Sequence, residues 1–95
     1  MDRIEHVLRE LYMNEIYLKT ISLCRGFGPP TDHADGPREM FRLEIAVNDA
    51  FVRPALDALL GGAHTGLPGD GKIFILPLEG VVRIRNGDTG PLAIG

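Results

Sequence analysis

The residues best suited to chemistry form one short run, residues 65–72 (TGLPGDGK). Closely spaced glycines can adopt backbone dihedrals that are closed to other residues, so that consecutive N–H groups converge on one oxyanion. Thr65 adds a hydroxyl donor and Lys72 adds a positive charge. The run therefore predicts a binding loop for an anion such as a phosphate.

Two arginines farther along the chain are also candidate anion ligands. Arg83 and Arg85 lie two positions apart in residues 81–85 (VVRIR), whose alternation predicts a strand with both side chains on one face. Guanidinium groups bind phosphate through paired hydrogen bonds. Arg83 and Arg85 are therefore a second pair of candidate phosphate ligands.

Two other interpretations of the loop deserve comparison. The spacing from Gly66 to Gly71-Lys72 matches the first part of a P-loop, but Ile73 stands where a P-loop has the Ser or Thr that binds Mg²⁺. A strand is also predicted after the loop, where a P-loop has a helix, so we reject the P-loop. A glycine-rich turn with a surface lysine stays open as the alternative.

The other reactive side chains form no second site by their spacing. His33 lies in residues 32–35 (DHAD) and is expected to be solvated rather than bound to a metal. His64 flanks the loop and either assists binding or serves as a surface residue. Cys24 is expected to be a buried structural thiol, because no histidine or acid is placed to activate it. We predict no metal site and no catalytic residue.

Composition limits the class of protein. The chain has 95 residues, 44% hydrophobic and 24% charged, which indicates one globular domain over 1–95. A net charge of −3 and the absence of Trp argue against nucleic acid as the main partner. No apolar run reaches the roughly 20 residues that span a bilayer. One cysteine fits a reducing compartment, so we expect a cytoplasmic location without membrane insertion.

Hydrophobic periodicity predicts the elements that carry these residues. Ile4, Val7, Leu8 and Leu11 form one helical stripe, and alternating apolar residues indicate strands on either side of a polar loop. The predicted elements are a helix at 2–12, strands at 16–24 and 40–47, a helix capped by Asn48 or Asp49 and ended by Gly61-Gly62, a buried strand at 72–78, a strand at 81–85 and a mobile tail at 86–95.

The pattern as a whole resembles the PII signal-transduction (nitrogen regulatory) proteins. The segment from Thr65 to Leu78 (TGLPGDGKIFILPL), followed by VVRIRNG, is similar to the signature region of that family. Residues 25–28 (RGFG) resemble the start of its long T-loop. The resemblance implies an α+β, ferredoxin-like βαββαβ fold with two helices on one face of an antiparallel sheet, here lacking the first strand.

The resemblance also implies a function and a set of site residues. Family members are non-enzymatic homotrimers that bind ATP or ADP in clefts between subunits. Glu44 and Ala46 fall, by a weaker match, where the family lines its adenine pocket. The residues implied to bind nucleotide are Thr20, Gly28, Thr65, Gly66, Gly69, Asp70, Gly71, Lys72, Arg83 and Arg85.

Departures from the family pattern concern the regulatory loop. Residues 29–40 are shorter than a PII T-loop and contain no tyrosine for uridylylation. Pro29-Pro30 replaces a glutamine that helps to bind Mg²⁺ and 2-oxoglutarate, which argues against 2-oxoglutarate sensing and leaves Mg²⁺ open. Residues 29–40 are still expected to contact a target protein, which would be a transporter, an enzyme or a regulator.

Three alternatives to this nucleotide sensor stay open. One is a short-loop relative that senses bicarbonate or AMP and is linked to a transporter or carboxysome. Another is a weak ATPase or small-anion hydrolase that uses Asp70 or His64. The third is a structural trimer that has lost ligand binding.

Overall fold

The computed structural model describes residues 3–27 and 36–95. Gly28, residues 29–35 and the histidine within them lie outside the described residues, so the predictions made for them are untested. The described elements are helix α1 (Arg3–Met13), strands β1 (Thr20–Gly26) and β2 (Arg38–Glu44), a 3-10 turn (Asp49–Phe51), helix α2 (Val52–Ala63) and the short helix α3 (Pro91–Ile94).

The core lies between α1 and α2. Val7 and Leu11 of α1 pack with Ala55 and Ala58 of α2, and Leu11 is fully buried. Ile16 joins this cluster because its N–H donates to Leu11 O over 2.9 Å, which folds the chain back after α1. The strand predicted from residue 16 therefore begins only at Thr20, and the alternating pattern before it belongs partly to the helical core.

The close approach of α1 and α2 depends on a glycine. A Cβ on Gly62 would lie 2.7 Å from Val7 Cα, which no real side chain tolerates. The prediction that Gly61-Gly62 ends the helix is wrong, because α2 continues to Ala63 and His64 N–H still donates to Leu60 O. A glycine is needed at position 62 because the α1 backbone lies against it, not because the helix ends there.

Strands β1 and β2 form an antiparallel hairpin. The register pairs Thr20 with Glu44 at one end and Gly26 with Arg38 at the other. Leu43 of β2 packs against the helical core, so the hairpin and the helices form one α+β unit. Asn48 precedes the 3-10 turn but makes no side-chain cap; its amide donates to Pro91 O over 3.2 Å instead.

The segment 72–85 differs from the sequence prediction. Neither predicted strand, 72–78 or 81–85, forms in the described chain, where Val82 and Thr89 make one isolated bridge. The apolar run at 73–78 is exposed rather than buried on both faces, and Phe74 is 80% exposed. A strand needs a hydrogen-bonded neighbour, and the sheet within this chain consists of β1 and β2.

The tail is held to the body of the domain instead of being free. Its residues 91–94 form α3, and Arg83 donates from Nη2 to Leu92 O and Gly95 O over 2.7 and 2.8 Å. Across the described residues, no helix is long and apolar enough to cross a membrane.

Candidate anion-binding site

The loop at 65–72 has the backbone geometry that its glycines predict. Gly66, Gly69 and Gly71 have φ angles of +84°, +99° and +99°, a region that residues with a side chain rarely adopt. The loop folds back so that the Asp70 carboxylate lies within hydrogen-bond distance of the Thr65 and Gly66 N–H groups.

Asp70 organises the first half of the loop. Its Oδ2 accepts hydrogen bonds from Thr65 N–H (2.8 Å) and Gly66 N–H (2.9 Å), and its Oδ1 accepts one from the Thr65 hydroxyl. Leu67 N–H donates to Thr65 Oγ1 over 3.2 Å. The donors that the sequence analysis assigned to a ligand at Thr65 and Gly66 are thus directed at an internal carboxylate.

These contacts change the acidity of Asp70. The hydrogen bond from the Thr65 hydroxyl, with those from the Thr65 and Gly66 N–H groups, holds the pKa of Asp70 below its ordinary value. His64 adds a smaller effect in the same direction, with Nδ1 3.7 Å from Asp70 Oδ2. The carboxylate is therefore ionised in neutral solution and keeps its hydrogen bonds.

The second half of the loop leaves its donors available. Within residues 3–27 and 36–95, no hydrogen bond is made by the backbone N–H of Gly69, Gly71 or Lys72. The Lys72 ammonium group has no partner there either, and the residue is exposed. The Asp70 N–H also makes no hydrogen bond there, so four consecutive backbone donors and one cation are available to an oxyanion.

The free half of the loop lines a cleft of about 1340 Å³. The lining residues come from the part of the hairpin nearer its connecting loop, such as Leu23 and Phe41, and from the start of α1. Its charged lining residues are Arg3, Arg38, Glu39, Asp70 and Lys72. The cleft combines apolar strand residues with free donors, as sites for phosphorylated small molecules do.

Arg83 and Arg85 lie apart from this cleft in the described chain. The Arg83 guanidinium contacts Asp88 Oδ2 at 3.4 Å in addition to the two tail carbonyls, and its side chain is only 26% exposed. Arg85 is exposed. The chain on its own does not bring either arginine to the loop, and their assignment as phosphate ligands stays a prediction.

The residues expected near adenine lie at one end of the hairpin, away from the cleft beside the loop. Thr20 pairs with Glu44 at the hairpin end that does not line the cleft. Ala46 lines a smaller apolar pocket of about 190 Å³ together with Ile16, Phe51 and Ile94. The described chain therefore does not bring Thr20, Glu44 or Ala46 to the cleft beside the loop, and their assignment to adenine stays a prediction.

Two residues differ from their sequence-based assignment. Cys24 is exposed and its Sγ donates to Met40 O over 3.5 Å, so the prediction of a buried thiol is wrong. Among residues 3–27 and 36–95, the sheet has two strands and no further strand shields this side chain. Arg3 was not singled out, although it lines the cleft. The sequence signal for Arg3 was its position four residues before Val7, which places a cation on the apolar side of α1.

In the described residues no group of three potential metal ligands occurs.

Comparisons with known proteins point to one family. A sequence model described as nitrogen regulatory protein P-II matches residues 1–88. The nitrogen regulatory protein GlnK1 of Methanosarcina mazei is 40% identical, covering 98% of this chain and 89% of that protein. The nitrogen regulatory proteins P-II of Azospirillum brasilense and Nostoc punctiforme are 35% and 31% identical, covering 99% of this chain and 89% and 100% of those proteins.

These matches confirm the resemblance stated from the sequence. They also confirm the prediction of a regulator, because the relatives are named as regulatory proteins and not as enzymes. The matched range includes the whole loop, both arginines and the hairpin.

Proposed function

Because the chain belongs to the nitrogen regulatory protein P-II family, we propose that it binds ATP or ADP and transmits the bound state to a partner protein. The observation that carries this proposal is the free half of the loop. Gly69, Gly71 and Lys72 present unpaired N–H groups and one ammonium at the edge of a cleft of about 1340 Å³. A polyphosphate supplies the several acceptor oxygens that these donors require.

The two halves of the loop have separate tasks in this proposal. Asp70 holds Thr65 and Gly66 in place, so these two residues set the shape of the loop rather than contact the phosphates. The N–H groups of Gly69 and Gly71 bind phosphate oxygens, and Lys72 neutralises part of their charge. The preformed glycine turns reduce the entropy that is lost when the ligand binds.

The proposed oligomer is a homotrimer, which is general in the family. The exposed apolar segment at 73–78 supports it, since a single chain leaves Phe74, Ile75 and Leu76 in water. A neighbouring subunit that supplies a strand edge would cover this segment. Arg83 or Arg85 of that neighbour would then reach the phosphates, which neither does within one chain.

The second candidate is a sensor with a different co-ligand, either bicarbonate or AMP. It is favoured by Pro29-Pro30, which replaces the glutamine that the family uses for Mg²⁺ and 2-oxoglutarate. Any Mg²⁺ would enter with the phosphates, because the described residues offer no cluster of three metal ligands. The partner would contact residues 29–40, and the location would be cytoplasmic.

Calorimetric titration of the full-length protein tests this function. We expect saturable binding of ATP or ADP, and we expect Lys72→Ala to weaken it by about 10-fold, the value of one charge-assisted contact. Lys19→Ala is the matched control, because Lys19 contacts only the carbonyls of Ile16 and Tyr17. Absence of binding by the wild type, or equal affinities for both variants, would contradict the proposal. Repeating each titration with bicarbonate or 2-oxoglutarate separates the two candidates.

A further inference from the structure

Arg3 places a second cation in the cleft, from an element that the binding loop does not include. It is the first residue of α1 and lines the cleft together with Gly69, Gly71 and Lys72. The residue is half-buried, and its Nε is buried without a hydrogen-bond partner. In the described part of the chain, no carboxylate or carbonyl pairs with this guanidinium.

An unpartnered donor of this kind needs an explanation. A buried N–H of a charged group that has lost water and gained no acceptor is unfavourable, so such groups are rare in native proteins. The helix position explains the burial, since Arg3 lies one turn before the buried Val7. It does not explain why a cation stands there instead of an apolar residue.

The acids of the cleft do not provide the missing acceptor. Asp70 already accepts three hydrogen bonds from Thr65 and Gly66. Glu39 lines the same cleft but makes no ion pair with Arg3. Among the residues that the structure describes, Arg3 and Lys72 are the cations of the cleft that come from α1 and from the loop.

We propose that Arg3 binds the phosphate chain of the nucleotide held at Gly69–Lys72, as a contact from α1 that complements Lys72 on the loop. The inference rests on the proposed nucleotide site and adds a residue to it. A guanidinium and an ammonium from two elements of one cleft favour ligands with several phosphates over those with one or none. Arg3 would therefore set the preference for ATP or ADP over AMP and adenosine.

The test compares affinities for ATP, ADP, AMP and adenosine in Arg3→Gln, Arg3→Lys and the wild type. Arg9→Gln is the matched control, since Arg9 lies on the same helix but is exposed and outside the cleft. We expect Arg3→Gln to lower the ratio of ATP affinity to adenosine affinity by about 10-fold, Arg3→Lys to restore part of it, and Arg9→Gln to leave it unchanged.

The ratio separates this inference from damage to the fold and from the proposed function. A variant that is partly unfolded loses affinity for ATP and adenosine alike, so its ratio stays at the wild-type value. An unchanged ratio in Arg3→Gln and Arg3→Lys overturns the role of Arg3 while wild-type ATP binding stands. If the wild type binds no nucleotide, the melting temperatures of the wild type and Arg3→Gln are compared with and without tripolyphosphate. Stabilisation of the wild type that is lost in Arg3→Gln supports an anion contact at Arg3. Equal stabilisation of the two proteins overturns that contact.

Discussion

The backbone N–H of Thr65 donates a 2.8 Å hydrogen bond to Asp70 Oδ2, and the same oxygen accepts from Gly66 N–H. The acid of the GDGK sequence therefore faces inward and closes the loop on itself. The carboxylate takes the donors of the first half and leaves those of Gly69, Gly71 and Lys72 for a ligand. Asp70 can therefore lie beside a phosphate site, because hydrogen bonds from Thr65 and Gly66 already compensate the charge of its carboxylate.

Asp70→Asn should weaken nucleotide binding without unfolding the protein. The neutral amide oxygen would accept from the Thr65 and Gly66 N–H groups more weakly than the carboxylate does, so the first half of the loop would be held less firmly. We expect a loss of about 10-fold in ATP affinity by calorimetry, the order of one charged hydrogen bond. Asp57→Asn on α2 is the control, since Asp57 only pairs with Arg53 at the surface. Wild-type affinity in Asp70→Asn would show that Asp70 does not shape the site.

The hydrogen bonds that Asp70 accepts within the loop should weaken in acid solution. Hydrogen bonds from Thr65 hold the pKa of Asp70 below its ordinary value in the folded protein. Their stabilisation is therefore fully present above the unfolded value of about 3.9 and is lost as the pH falls through the folded value. In an NMR titration, the side-chain carboxyl carbon of Asp70 should keep the shift of the ionised group from pH 7 to about 5 and change only in strong acid. A midpoint above that of an exposed aspartate would contradict the assignment.

Gly62→Ala should destabilise the protein because α1 lies directly against it. The added Cβ would lie 2.7 Å from Val7 Cα, so the two helices must separate. We expect the free energy of unfolding in urea to fall by about 1–3 kcal/mol, as for other overpacked cores. The matched control is Gly61→Ala, whose Cβ would lie 3.9 Å from Glu10 Oε1. Helix propensity predicts a neutral or stabilising change there of up to about 1 kcal/mol. Equal effects at both glycines would contradict the packing.

Leu76→Asp should dissociate the proposed trimer. Leu76 is 77% exposed in the single chain and lies in the apolar segment that a second subunit would cover. A buried carboxylate at a subunit contact is strongly unfavourable, so light scattering should give the mass of a monomer. Met13→Asp, at the exposed end of α1, should leave the mass at that of a trimer. An unchanged mass for Leu76→Asp would place the contact elsewhere.

Local patterns in the sequence were sufficient for α1 and for the presence of two strands on either side of a polar loop. The stripe of Val7 and Leu11 predicted α1 to within one residue at each end, and the alternation around Leu43 predicted β2. The glycines at 66, 69 and 71 predicted a loop with left-handed turns, which has those φ angles. These features depend on residues that are close to one another in the sequence, so the sequence alone is enough to predict them.

Other features depend on contacts between segments that are distant in the sequence, and the sequence alone did not predict them. Residues 72–78 are apolar enough for a buried strand, but only a hydrogen-bonded neighbour makes a strand of them. Gly62 was interpreted as a helix stop because its reason lies in α1. The division of the loop into a half held by Asp70 and a free half, and the placement of Arg3 beside it, required the three-dimensional arrangement.

In the proposed complex, phosphate oxygens bind the N–H groups of Gly69, Gly71 and Lys72, while Asp70 holds Thr65 and Gly66 in place. The most direct measurement is the amide chemical-shift change, by ¹⁵N NMR, when ATP is added to the wild-type protein. The account predicts the largest changes at Gly69, Gly71 and Lys72, with smaller ones at Thr65 and Gly66. Saturating ATP that leaves these three amides unchanged, or that acts only at residues outside the cleft, would contradict it.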